Sequence, residues 1–169
     1  ATMVPATAPA ELTPDHTAIA NVRRSGGYAS TNAERVTGKI AAVCREIDVP
    51  VVVKEVGNGI SVDAAKRLQS AGVKAIDIAG KGGTSWSAVE AQRAARMGER
   101  PDLVFSDWGI PTEEALIAVR QALPDIPLVA SGGIRTGVDI AKSIALGADL
   151  GALGQPLLAA ALAQPMELR

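Results

Sequence analysis

Four short aliphatic runs, each followed by a glycine-bearing turn and a helical pattern, constrain this chain more than any other feature. They are Val49-Pro50-Val51-Val52-Val53-Lys54, Ala75-Ile76-Asp77-Ile78-Ala79, Leu128-Val129-Ala130-Ser131 and Asp149 to Leu153. The first is apolar up to Lys54, which predicts a strand covered on both faces. Strands alternating with helices require right-handed parallel crossovers, hence a doubly wound sheet or a β/α barrel. A weak internal repeat marks the unit: Val62-Asp63-Ala64-Ala65-Lys66 matches Val138-Asp139-Ile140-Ala141-Lys142, each after a strand and a Gly-rich turn.

The helices between the runs carry their own start and stop signals. Thr31 with Glu34 has the form of a capping box, and Val36, Ile40, Val43 and Ile47 follow at helical spacing, which predicts a helix to about residue 47. Ser61 can cap a helix bearing Val62, Ala65 and Leu68 on one face, with Gly72 at its exit. Ser87 and Glu90 form another capping-box pattern for a helix to about Met97, and Thr112, Glu113 and Glu114 open a helix that ends before Pro124. Thr136 and Asp139 start a helix that Gly147 closes, and Gly154-Gln155-Pro156 leads into an alanine-rich terminal helix. Residues 1–30, with Pro5, Pro9, Pro14 and Gly26-Gly27, show no period and read as a flexible arm before one packed domain over residues 31–169.

The 169 residues are 47% hydrophobic but only 2% aromatic, and such small aliphatic side chains suit the tight layer between parallel strands and covering helices. A closed eight-stranded barrel typically takes about 250 residues, so four strands predict about half of a (β/α)8 TIM-barrel-type fold. Half a barrel exposes two sheet edges and an apolar inner face, and a partner is expected, either a second copy in a homo-oligomer or a further half of the same barrel. The net charge of -1 argues against a nucleic-acid role. One cysteine, Cys44, cannot form an internal disulfide and is expected in the core; no apolar run approaches the roughly 20 residues of a membrane helix. These two features predict a soluble protein of a reducing compartment, the cytoplasm; the first ten residues lack the basic start and apolar stretch of a secretory signal and read as a flexible tail.

The strongest chemical signal is the turn Ser131-Gly132-Gly133-Ile134-Arg135-Thr136-Gly137 beside Gly154. Both turns follow the last two strands, where barrels place a phosphate on backbone N–H groups and a helix start, and glycine keeps side chains off the anion; tight turning alone is the alternative. Lys54 ends its strand towards the same mouth, where a cation can stabilise negative charge on a bound ring, unless it merely reaches solvent or pairs with Glu55. Thr84 offers a hydroxyl after the second strand, or serves as a turn or cap. Asp77 in an apolar strand must be paired, which favours a structural carboxylate over a site residue. His16, the single histidine, falls in the arm, which disfavours a serine–histidine triad or a multi-histidine metal site. Trp86 and Trp108 are expected to pack or form an interface rather than wall a pocket.

In order and spacing, Val51-Val52-Val53-Lys54-Glu55-Val56-Gly57, Ala75 to Trp86, Asp107-Trp108-Gly109-Ile110-Pro111-Thr112 and Ala130-Ser131-Gly132-Gly133-Ile134-Arg135 resemble type 2 isopentenyl diphosphate isomerase over about residues 35–163. The resemblance implies an FMN-dependent β/α barrel that interconverts isopentenyl and dimethylallyl diphosphate, with NADPH and Mg2+ as further cofactors and a small-molecule isoprenoid diphosphate as substrate. It implies that Lys54 faces the flavin pyrimidine edge, that Thr84 hydrogen-bonds the cofactor, and that Gly132, Gly133, Gly154 and Gln155 hold its phosphate. Reduced flavin would then do the acid–base work, so no side chain here is expected to be the catalytic acid. Lys81 stands where the family has a small residue, and the family's amino-terminal half, with its Gln-Glu pair and basic diphosphate ligands, has no counterpart. Two other readings are an FMN-dependent 2-hydroxyacid oxidase-like barrel, which wants a histidine after His16, and a non-catalytic half-barrel fragment or scaffold.

Overall fold

A computed structural model describes residues 29–101 and 103–163. The elements run α1 (Ala29–Glu46), β1 (Val52–Lys54), α2 (Val62–Ser70), β2 (Ala75–Asp77), α3 (Trp86–Arg96), α4 (Thr112–Ala122), β3 (Leu128–Ala130), α5 (Gly137–Ala145), β4 (Leu150–Gly151) and α6 (Gln155–Ala163). The four strands form one parallel sheet in the order β1-β2-β3-β4, so each neighbour is also the next strand in sequence. That order, with helices in the connections, is the arrangement expected of a partial barrel.

Register decides which side of the sheet is covered. Val53, Ile76 and Leu128 are lateral partners and share one face, as do Lys54, Asp77, Val129 and Leu150 on the other. The first row enters the main core with Leu68, Leu116, Val119 and Leu123. Helix α4 lies on this side because Ala115, Leu116 and Val119 fall on a single helical face and are fully buried. The second row has no helix over it among the described residues: Val52, Ala75 and Val129 are half-buried, and Leu150 is 63% exposed. Cys44 packs against the edge of the core, as its place on α1 predicts.

Three local expectations need correction. Helix α1 begins at Ala29, so Thr31 lies inside it rather than capping it, and the arm loses its last two residues to helix. The rest of the arm, including His16, lies outside the described residues. The first strand spans Val52–Lys54 only, and Val49 is 54% exposed, because β1 has a strand neighbour on one side and no cover on the inner face among the described residues. Helix α3 is capped by Ser85, whose side chain accepts the Ala88 N–H, rather than by Ser87. The Ser87 hydroxyl donates to the Phe105 carbonyl, tying the helix to the following loop. The caps at Ser61 and at Thr136 with Asp139 form as their spacing predicts.

Candidate functional site

Parallel register brings the ends of three strands together, and with them Lys54, Asp77 and Ser131. Lys54 and Asp77 are lateral partners, and Ser131 follows β3 directly. The Lys54 ammonium donates to Asp77 Oδ2 at 2.8 Å and to Ser131 Oγ at 2.9 Å. The Ser131 hydroxyl donates to Asp77 Oδ1 at 2.5 Å, and the Ala79 N–H reaches the same oxygen at 3.1 Å. Asp77 and Ser131 are 4% and 6% exposed, whereas the Lys54 side chain is 52% exposed. A carboxylate so deeply placed needs this pairing, since a buried unpaired charge would be expensive. An ammonium carries three N–H donors, so one on Lys54 remains for a ligand among the described residues.

Lys54 therefore does not pair with Glu55. The Glu55 carboxylate instead accepts the backbone N–H groups of Gly57, Asn58 and Gly59 at 2.6, 2.6 and 3.1 Å, which fixes the loop after β1. Ser131 was visible in sequence only as a turn residue. Its signal is positional: it stands one residue past a strand whose neighbours end in a cation and a carboxylate.

The glycine turns work differently from their sequence rationale. Gly132 has φ +95°, and a Cβ there would lie 2.1 Å from the Gly80 carbonyl oxygen; at Gly133, φ is +80° and the Cβ would lie 2.7 Å from that of Gly82. These two glycines are demanded by the protein's own backbone, which packs the loop after β2 against the turn after β3. Gly154 is the contrast, because a Cβ there would meet nothing within 4 Å. Among the described residues, nothing would touch a side chain at that position, which leaves it open to a ligand.

Two helix starts, those of α5 and α6, follow these turns. At α5 the Asp139 carboxylate already accepts the N–H groups of Arg135 and Thr136 and the Thr136 hydroxyl. The Thr136 hydroxyl, then the Arg135 N–H, holds the Asp139 carboxyl below its ordinary 3.8. That end thus already carries a negative charge, and α6 begins at Gln155 directly after Gly154. Ala130 and Gly151 are lateral partners, so the turns after β3 and β4 start side by side. The backbone N–H groups of Gly132, Gly133, Ile134 and Gly154 have no hydrogen-bond partner among the described residues. These observations fit a phosphate held across the two turns.

Thr84 is exposed and its hydroxyl has no partner among the described residues, so it is neither a turn lock nor a cap. It follows Gly83, whose Cβ position lies 3.1 Å from the Gly133 nitrogen, and thus borders the same turn. Gln155 is exposed at the head of α6. Lys81 brings no uncompensated cation to the site, because its ammonium pairs with Asp107 at 2.7 Å. Trp86 and Trp108 are exposed, and Trp108 meets Phe105 edge-on at 6.5 Å between ring centroids. A hollow between α1 and α2, lined by Glu34, Lys66 and Arg67, contains none of the strand-end residues. Among the described residues, no helix is long and apolar enough to cross a membrane, and no group of three His, Cys, Asp or Glu is placed to hold a metal ion.

Comparison with known proteins adds two findings. Residues 6–166 match the FMN-dependent dehydrogenase family. The chain is also similar to curated proteins named isopentenyl-diphosphate delta-isomerase. That of a Synechococcus species is 55% identical over 136 residues, covering 78% of this chain and 38% of the relative. Those of a Nostoc species and of Stutzerimonas stutzeri are 52% and 57% identical, over 78% and 73% of this chain and 38% and 36% of the relatives. The chain thus spans less than two fifths of the length of these relatives.

Proposed function

Because the chain belongs to the FMN-dependent dehydrogenase family, we propose that its strand-end site holds FMN and that the protein interconverts isopentenyl and dimethylallyl diphosphate. The observation that carries this reading is the half-exposed Lys54 ammonium, fixed at the mouth of the sheet with one N–H left to give, beside two turns whose N–H groups lack partners. Bound and reduced, the flavin supplies the proton donor and acceptor that an alkene isomerisation requires. The chain's own residues bind and orient. Lys54 offsets negative charge at the pyrimidine edge, Thr84 offers a hydroxyl, and the backbone around Gly132, Gly133, Gly154 and Gln155 takes the phosphate.

The same proposal includes NADPH as the reductant that brings the flavin to its working state and Mg2+ on the substrate diphosphate. It further includes a cytoplasmic homo-oligomer.

The purified protein is titrated with FMN, following flavin fluorescence, and then assayed for isomerisation with NADPH and Mg2+. Saturable binding at one FMN per chain and formation of dimethylallyl diphosphate are expected. Absence of FMN binding overturns the reading. Flavin-dependent oxidation of a 2-hydroxy acid without isomerisation would replace it with the oxidase reading, which the lack of any histidine after His16 disfavours.

A further inference from the structure

We infer that Asp77 and Ser131 are positioning residues that set how much positive charge Lys54 presents to the flavin. The inference rests on the FMN reading above. Its basis is a closed ring of hydrogen bonds: Lys54 to Asp77 Oδ2, Lys54 to Ser131 Oγ, and the Ser131 hydroxyl to Asp77 Oδ1. Because the serine proton is committed to the carboxylate, its oxygen can only accept from the ammonium, and every donor in the ring has a fixed direction. The carboxylate is further fixed by the Ala79 N–H, where the chain leaves β2 with φ +39° at Ala79. Asp77 and Ser131 are buried, so they hold their places; Lys54 is the exposed member, and its remaining N–H is the ring's outward face.

The ring has two consequences. A lysine side chain has many rotamers, and two anchored N–H bonds restrict them before any ligand arrives. The carboxylate at 2.8 Å also cancels much of the ammonium's field, so the mouth is polarised rather than strongly cationic. A reduced flavin bears more negative charge at its pyrimidine edge than an oxidised one. Lys54 therefore favours the reduced form, and Asp77 limits that preference.

The test is the ratio of affinities for reduced and oxidised FMN, read from the midpoint potential of the FMN-loaded protein and independent of turnover. A tenfold change in the ratio corresponds to about 30 mV for a two-electron couple. Lys54→Ala should lower the potential, and Asp77→Asn, which keeps the shape but removes the opposing charge, should raise it by at least a threefold change in that ratio. Ser131→Ala keeps both charges but releases one anchor; it should weaken FMN binding and move the potential towards that of Lys54→Ala. This second variant tests the ring should Asp77→Asn fail to fold. A merely structural role of Asp77 and Ser131 would lower thermal stability in their two variants and leave the potential of both where it was in the parent. An unchanged potential in Asp77→Asn or Ser131→Ala, or a fall in Asp77→Asn, overturns the inference while the FMN reading stands. Absence of FMN from the parent protein overturns both.

Discussion

At Gly133 two demands fall on one residue, and they can be separated. A Cβ there meets the Gly82 carbonyl at 2.7 Å with φ at +80°, so Gly133→Val should cost more than about 2 kcal/mol whether or not a phosphate binds. Gly154 has open space around its Cβ position, so Gly154→Val should stay within about 1 kcal/mol of the parent in stability. The same variant should weaken FMN binding at least tenfold. Thermal unfolding and FMN titration on the two variants check this; equal FMN affinity in Gly154→Val would remove the phosphate from that turn. Lys54→Ala carries a double effect. It should weaken FMN binding and also cost about 1–3 kcal/mol without ligand, because Asp77 stays buried with only Ser131 and Ala79 as partners. Chemical denaturation of the ligand-free variant measures the second part.

Among the elements, α3 shows how a helix start is chosen when several residues could serve. Ser87 with Glu90 matches a capping box in sequence, yet Ser85 takes the cap, accepting from Ala88 and donating to the Ser106 carbonyl. The segment that holds Phe105 and Ser106 decides this, since Ser85 donates to the Ser106 carbonyl and Ser87 to that of Phe105. Ser85→Ala should therefore cost about 1 kcal/mol and Ser87→Ala less than half of that, measured as shifts in the denaturation midpoint at constant slope. Where a cap depends on neighbours three residues away only, as at Thr136 and Asp139, the sequence pattern and the structure coincide.

Across the whole molecule, the amino ends of β3 and β4 are tied together through Arg120 and Asp149. Arg120 on α4 donates to the carbonyls of Gly147, Pro124 and Ile126 and, at 2.6 Å, to Asp149 Oδ2, which also accepts the Leu128 N–H. This joins α4, β3 and the approach to β4 on the side away from Lys54. The Leu128 N–H, then Arg120, holds the Asp149 carboxyl below its ordinary 3.8. A lowered folded value means that the unfolded chain takes up the proton first. The contribution is complete above 3.8 and is lost as pH falls through the lower folded value. Asp149→Asn should lower stability at pH 7, and its difference from the parent should shrink as the pH drops below about 4. Denaturation series at both pH values check this; a constant difference would remove the proton linkage. Arg120→Ala should cost roughly 2 kcal/mol at neutral pH, because several carbonyls lose a charged donor together.

The sequence by itself determined the alternation of strands and helices, the parallel sheet, most helix limits and the glycine turns, because these follow from local period, caps and backbone freedom. It also placed Lys54 at a strand end. Only the tertiary structure decided that Asp77 and Ser131 hold that lysine, since lateral register joins residues 23 and 77 positions away from it in the chain. It also decided that Gly132 and Gly133 answer to the loop after β2. Each of these depends on which backbone lies against which, a relation that no single stretch of sequence carries.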